Sequence, residues 1–181
     1  MASFLFVQTA FNYHDVALII EGVVTKSWHI VEPRQTLKFL TGILPELQDI
    51  VFENIVFVQG PGSFTALRVG ATWVNTLAYT RNVPIKNIST LAYLALALEK
   101  KPEVLNITFD QKRYFFIEHG NIVVVDHPYK HLFQYNPEET KVSFTKKLAK
   151  QLGEFSYSEP VIATDVLYVL PPKITLPKSS T

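Results

Sequence analysis

The stretch Gln59-Gly60-Pro61-Gly62-Ser63-Phe64-Thr65-Ala66-Leu67-Arg68-Val69-Gly70 decides how the rest of the chain is read. It follows a short apolar run, Asn54-Ile55-Val56-Phe57-Val58. It therefore reads as a glycine-punctuated turn from a buried strand ending at Gly60 into a helix over residues 65–80, with Ser63 as the N-cap. Gly60 and Gly62 permit positive φ, Pro61 stiffens the turn, and the N–H groups after Ser63 make a helix start that attracts anions. A Walker loop would need Gly-Lys-Ser/Thr, and no lysine stands here to neutralise a β- or γ-phosphate. On the residues alone, a tight strand-to-helix turn outweighs phosphate binding.

Upstream, Phe4-Leu5-Phe6-Val7, Val16-Ala17-Leu18-Ile19-Ile20 and Val23-Val24-Thr25-Lys26-Ser27-Trp28 read as three strands, divided by the polar Asn12-Tyr13-His14-Asp15 and by Gly22. Pro33 suits a helix first turn, after which Leu37, Phe39, Leu40, Ile43 and Leu44 fall within about 160° at 100° per residue. Pro45 is expected to kink or restart that helix. Downstream, a third helix is predicted over residues 89–98, stopped by Pro102. The β-β-β-α-β-α-α pattern then begins again, with strands over 104–109, 114–118 and 122–125, a helix over 137–151 and a strand over 161–164. This is a topological repeat without a sequence repeat. The second copy reads as cut short, because after Asp165 only residues 166–170 and a tail punctuated by Pro171, Pro172 and Pro177 remain, expected to be irregular.

The 181 residues are 48% hydrophobic and only 18% charged, against about 25% charged in an average chain. That composition excludes disorder and coiled coil, and at roughly 150 residues per domain it allows one domain or two small lobes. Basic and acidic side chains number seven and seven over residues 1–100, and ten and nine over 101–181, so no basic half exists to clamp nucleic acid. The chain has no cysteine, which removes disulfides, thiolate metal sites and a thiol nucleophile. Gln8, Asn12, His14 and Asp15 interrupt the apolar start that a signal peptide requires, and the longest clean apolar stretch, 91–98, is far short of the ~20 residues that span a bilayer. The expectation is a soluble, cytoplasmic protein with no membrane partner.

The glycine-rich stretch resembles the Gly-Pro-Gly-Ser-Phe-Thr-Gly-Leu-Arg-hydrophobic-Gly signature of the TsaB (YeaZ) family. Ile88-Ser89-Thr90-Leu91 is similar to that family's Val-Ser-Thr-Leu helix entry, Asp110-Gln111-Lys112-Arg113-Tyr114 to its Asp-Ala-Arg segment, and Ile43-Leu44-Pro45 to its Leu-Leu-Pro. The resemblance covers residues 1 to about 125 with decreasing strength. It implies an α/β, actin-like (ASKHA, ribonuclease-H-like) fold of two duplicated lobes with a shortened second lobe: residues 1–102, carrying the motif loop Gly60, Pro61, Gly62, Ser63, Phe64, Thr65 and Arg68, and residues 103–181. It further implies a non-catalytic partner of TsaD, the transferase that places threonylcarbamoyl on the adenosine beside the tRNA anticodon. The TsaE ATPase would join the pair, and ATP and metal would sit on those partners, with no cofactor in this chain. tRNA would be reached only through the complex, and a homodimer is left open. Asp110 and Arg113 become polar complex-interface candidates. The competing class is a stand-alone actin-like phosphohydrolase or kinase, and a metallopeptidase rests only on the family's older glycoprotease label.

Catalytic chemistry finds no support in the residues. Gln8 stands where the actin-like superfamily places a strand Asp, and a neutral amide cannot hold Mg²⁺ and phosphate in the same way. The stretch Glu32-Pro33-Arg34-Gln35-Thr36-Leu37 and the turns after it contain no His, whereas TsaD carries a His pair on its first-lobe helix. His127 and His131 are four apart, but Pro128 follows the first and no Glu completes a metalloprotease pattern, so a solvated loop is the default. Ser63 lacks a base and an orienter. Lys146, Lys147 and Lys150, with Lys141 nearby, read as a solvated helix face, and Tyr114, Phe115 and Phe116 as a strand with one face in the core.

On the helix over 65–80, Ala66, Leu67, Val69, Gly70, Ala71, Trp73, Val74, Leu77 and Ala78 cover an arc of about 200°, twice the ~100° stripe that one core contact needs. A helix sandwiched between the sheet and a neighbouring helix would show the same arc; with the family's use of this helix for pairing, the arc is assigned to a partner interface at Ala66, Val69, Gly70, Trp73, Val74 and Leu77. A charged residue at Gly70 is then expected to break association and leave the fold. Ala66 and Trp73 replace usually smaller family residues, which implies a remodelled partner groove.

Overall fold

The computed structural model describes residues 3–32, 34–108, 113–119, 121–127, 132–136, 146–157 and 159–167. Three strands open it: β1 Ser3–Gln8, β2 His14–Ile20 and β3 Val23–Ile30. Then follow α1 Thr36–Leu47, β4 Asn54–Gly60, α2 Phe64–Arg81, β5 Ile85–Ser89 and α3 Thr90–Leu98. A 3-10 turn, Pro102–Val104, leads into β6 Leu105–Thr108, β7 Tyr114–Glu118, β8 Asn121–Val125, β9 Phe133–Tyr135 and α4 Lys146–Glu154.

The first sheet has the order β3-β2-β1-β4-β5, with antiparallel pairs up to β1 and parallel pairs beyond it. The second sheet, β8-β7-β6-β9, repeats that order and those directions as far as its fourth strand. The chain therefore has the duplicated actin-like, ribonuclease-H-like α/β fold. β1 and β4 are buried along almost their whole length, which alternation cannot achieve with one covered face. α1 packs on α2 and α3 on α4, so a helix pair covers each side of the first sheet.

The structure departs from the sequence expectations at several points. β5 lies between α2 and α3, where no strand was expected, because Lys86 and Asn87 break its apolar run while Ile85 and Ile88 reach the core. β9 was also missed, being only three residues long. The expected helix over 137–151 is described as α4 from Lys146 onward, and 137–145, with Lys141, lie outside the described residues, as do Pro33 and the tail from 168. α1 runs through Pro45 to Leu47 without restarting, and Leu37 and Leu44 of its expected apolar stripe face out. α3 ends at Leu98, four residues before Pro102, with Glu99 after it in the left-handed region, and Pro102 instead opens the 3-10 turn. Ser63 holds the N-cap position of α2 by backbone alone, with no side-chain cap bond. Ser89 does cap α3, its hydroxyl accepting from the Ala92 N–H at 3.2 Å.

The expected strand over 161–164 makes only one bridge, and residues 161–167 form a strap over the first lobe. Val161 exchanges two backbone bonds of 2.8 Å with Ile85. Three residues on, the Asn75 side chain clamps the Thr164 peptide, accepting from its N–H at 2.8 Å and donating to its C=O at 2.9 Å. Thr164 also donates its hydroxyl to Asn87 Oδ1 at 2.6 Å, Val166 is buried, and the Leu167 N–H reaches the Gln59 carbonyl at 2.8 Å. The change of sheet falls at residues 98–105, while α4 and the strap pack back on the first lobe.

Asn75→Ala removes both bonds to a buried peptide, which should lower stability by about 1–3 kcal/mol. Urea unfolding should show a lower midpoint at unchanged slope. A wild-type midpoint would mean that the strap adds nothing to the fold.

Candidate functional site

At the far end of β1, Gln8, Asp15 and His29 stand in register on three adjacent strands. Gln8 is fully buried, and its amide donates to the Tyr13 carbonyl at 3.3 Å and to Asp15 Oδ2 at 3.4 Å while accepting the Phe11 N–H at 3.3 Å. Asp15 Oδ1 lies 2.5 Å from His29 Nδ1. An ionised carboxylate only accepts, so an Asp at position 8 would face the Tyr13 carbonyl and the Asp15 carboxylate with no proton to offer. The amide instead stitches the β1–β2 loop to itself. No three His, Asp or Glu side chains converge among the described residues.

The glycine motif receives that loop. A Cβ on Gly62 would sit 2.3 Å from the Ala10 carbonyl oxygen, and one on Gly70 would sit 2.2 Å from Thr9 Oγ1. The Ser63 N–H donates to the same Ala10 carbonyl at 2.7 Å. On the other side, Gly60 adopts φ +119°, and a Cβ there would lie 3.0 Å from the Leu167 carbonyl of the strap. The glycines thus let two segments approach α2 and its entrance closely. The Ser63 N–H, just before the helix start, is met by the chain's own carbonyl. Thr65 and Arg68 are exposed, Pro61 is buried, and the Arg68 guanidinium lies over the Phe64 ring at 4.7 Å.

Aromatic rings fill the seam between the first sheet and β9. Phe6 stacks on Tyr93 at 5.4 Å, Phe11 lies 5.1 Å from Tyr13 and 6.2 Å from Tyr93, and the hydroxyls of Tyr13 and Tyr135 are hydrogen-bonded. Burial, with Asp15 adding to it, holds the Tyr93 phenol far above its ordinary value, and burial pushes Tyr135 up to about 12. These rings act as neutral packing.

The expected partner face of α2 is covered by the chain itself. Ala66, Gly70, Trp73, Val74 and Leu77 are buried, and Val69 is half-buried. The wide apolar arc is explained by a helix held between sheet, α1 and strap, and Gly70 is no surface position. Asp110 and His131 lie outside the described residues, Arg113 is half-buried, and His127 is exposed. Phe115 and Phe116 are both buried. Lys146, Lys147 and Lys150 are exposed; Lys147 pairs with Glu99 at 2.5 Å and Lys150 lies 3.8 Å from Glu154. Sequence reasoning missed the Gln8 stitch and the Asn75 clamp. The clamp depends on a partner 89 residues away and the stitch on loop residues three to seven away, and only the polarity of Gln8 in an apolar strand gave a signal.

Two outcomes follow from this geometry. Gly62→Ala and Gly70→Ala should each destabilise the chain by roughly 1–3 kcal/mol, the cost of overpacking. Gly42→Ala on α1, where a Cβ meets nothing within 4 Å, should stabilise by about 0.5–1 kcal/mol. Equal melting shifts at all three glycines would remove the close-approach explanation of the motif. The second concerns His14, whose Nε2 lies 2.9 Å from Thr36 Oγ1 in the core. Burial lowers its pKa below 6.5, a bond with the Tyr13 backbone opposes this, and His29 adds to it. The unfolded chain therefore takes up this proton first as pH falls, and stability is lost below about pH 6.5. Melting of wild type and His14→Gln should converge or cross between pH 7.5 and 5.5, and parallel curves would exclude His14 as the source.

A family model described as "TsaD: tRNA N6-adenosine threonylcarbamoyltransferase" matches residues 45–110. The tRNA threonylcarbamoyladenosine biosynthesis protein TsaB of Bacillus subtilis (strain 168) is 37% identical over 60 residues, 33% of this chain and 26% of that one. TsaB of Escherichia coli (strain K12) is 29% identical over 106 residues, 54% and 44% of the two chains. The matched part thus spans under half the length of these curated relatives. Among solved structures, YeaZ from Pseudomonas aeruginosa superimposes with TM-score 0.55 at 24% identity, covering 71% of this chain and 67% of that one. A second structure, described as an uncharacterized protein similar to peptidase YEAZ from the same organism, gives 0.52 at 25%, covering 71% and 65%. Through these matches the chain is similar to the TsaB (YeaZ) family, and the motif loop that carries the likeness is shaped by the same glycine contacts as the first lobe.

Proposed function

We propose that the chain is a non-catalytic subunit in the formation of threonylcarbamoyladenosine in tRNA, binding and supporting a TsaD-type transferase in the cytoplasm. A TsaE-type ATPase would join that pair. ATP and metal would be handled by those partners, and tRNA would be met only in the complex. The relatives' names place them in this biosynthesis, and the single observation that carries the pairing role is the outer surface of α1 and α2.

Residues 69–80 of α2 contain no charged side chain, yet Thr72 and Thr76 are exposed. On α1, Leu37, Thr41 and Leu44 are exposed at spacings of four and three, on one helix face. Two of the threonine hydroxyls are bonded back to their own helices: Thr41 donates to Leu37 O at 2.8 Å and Thr76 to Thr72 O at 2.9 Å. Methyl groups are then the chemistry offered outward, and two adjoining helices present a neutral, weakly apolar ridge that suits another helix pair. The partner surface accordingly moves from the buried Ala66, Gly70, Trp73, Val74 and Leu77 to Leu37, Thr41, Leu44, Val69, Thr72 and Thr76.

The competing reading, a stand-alone nucleotide phosphohydrolase or kinase, is disfavoured by Gln8 and by the ring-filled seam. Purified chain should accordingly show no Mg²⁺-dependent ATP turnover.

Co-expression with the TsaD-type subunit of the same cell tests the pairing. Wild type should co-purify, and Leu37→Arg or Thr72→Arg should weaken recovery on the order of 100-fold by burying an unpaired charge, with circular dichroism unchanged. Folded variants that still assemble would sink the ridge, and ATP turnover lost on mutating the motif loop would favour the enzyme.

A further inference from the structure

Three large apolar side chains among the described residues are more than four-fifths exposed: Val51 at 83%, Tyr79 at 84% and Ile162 at 88%. They are remote in sequence, and the fold brings them to one end of the first lobe. β1, β4 and β5 run parallel, so α1 and α2 must return to the strand starts, and both helix ends lie at that base. Backbone and side-chain bonds fix the meeting point. The Arg81 guanidinium donates to Leu47 O at 2.7 Å, Ile55 N–H to Pro84 O at 3.0 Å, and Ile85 and Val161 exchange two bonds of 2.8 Å. Val51 lies between Leu47 and Ile55, Ile162 directly after Val161, and Tyr79 one helical turn beyond Asn75, whose side chain holds Thr164 of the strap.

The charges around this base are uneven. Asp49 and Glu53 flank Val51, and Glu159 precedes the strap; all three are exposed. The cations there are engaged inward, Arg81 on the Leu47 carbonyl and Lys86 over the Tyr157 ring at 5.6 Å. We propose that the base formed by Val51, Tyr79 and Ile162 is a second docking surface, for a protein segment that carries apolar side chains flanked by lysine or arginine. A second copy of the chain is the poorer occupant, because a two-fold contact would set one acidic rim against another. The surface goes beyond the pairing ridge and has its own readout.

The test uses the full chain and two labelled model peptides of equal length, one alternating leucine with lysine and the other leucine with glutamate. Fluorescence anisotropy should show the lysine peptide binding at least about tenfold more tightly, with affinity falling as salt rises. Val51→Asp with Ile162→Asp should cost a further tenfold or more, while Asp49→Lys with Glu53→Lys should reverse the preference. Thr72→Arg on the pairing ridge should leave peptide binding unchanged, so failure of the ridge and failure of the base are told apart. Equal binding of both peptides, no binding at all, or undiminished binding by the double aspartate variant would overturn the proposal. So would a wild-type dimer in sedimentation that Ile162→Asp abolishes, since the occupant would then be a second copy.

Discussion

The Ala10 carbonyl accepts the Ser63 N–H at 2.7 Å, and the loop that carries Ala10 lies so close to α2 that neither Gly62 nor Gly70 can bear a side chain. This contact fixes the distance between the β1–β2 hairpin and the helix beside it. The positions of both follow from it: Gln8 must hold the loop's shape from within, and α2 must enter at an angle that leaves its apolar arc between the sheet, α1 and the strap. Gly60 repeats the device on the other side of the turn, where the Leu167 carbonyl passes over it. A motif of this composition invites a phosphate-binding reading, because glycine and free N–H groups are what a phosphate cradle needs. The same features serve equally well to bring one piece of backbone against another.

Much of the first lobe was legible in the residues, and the exceptions share a cause. β1, β2 and β3 announce themselves by dense β-branched and aromatic runs, and the entry to α2 by its glycines. β5 did not, because a strand at the parallel edge of a sheet needs only Ile85 and Ile88 in the core and leaves Lys86 and Asn87 free to be polar. The strap was legible only as an expected strand over 161–164, and its course over α2 was not. Its contacts are backbone bonds and an amide clamp from a residue 89 positions away, and neither leaves a periodic trace. The width of the α2 arc was visible, but its meaning required knowing that the chain's own residues lie on both sides of the helix. The site was legible in its glycines and in the oddity of Gln8, and illegible in what those residues touch.

The two sheets share strand order and direction, yet they differ in what surrounds them. In the first, helices cover both faces and the central strands are almost wholly buried; in the second, β8 is only half-buried and exposed at its start. α4 packs toward α3 and β3, and so adds to the first lobe's cover. Stability is thereby concentrated in the first sheet, in keeping with the general rule that buried apolar area and satisfied backbone decide which part of a fold opens last.

A seam that is to bind a nucleotide has to keep polar walls and an opening, and both weaken the structure around it. Here Phe6, Phe11, Tyr13 and Tyr93 occupy that space as close-packed rings, Tyr135 closes it from the second sheet through a hydroxyl bond to Tyr13, and Gln8 turns its amide onto the loop. The two sheets are tied together at this seam. A body made rigid in this way loses little conformational entropy when its surfaces are bound, so modest contact chemistry, methyl groups along a ridge or a few apolar side chains inside an acidic rim, can support association that a mobile fold could not. The rings that fill the interior are therefore also the contacts that hold the exterior surfaces in a fixed relation.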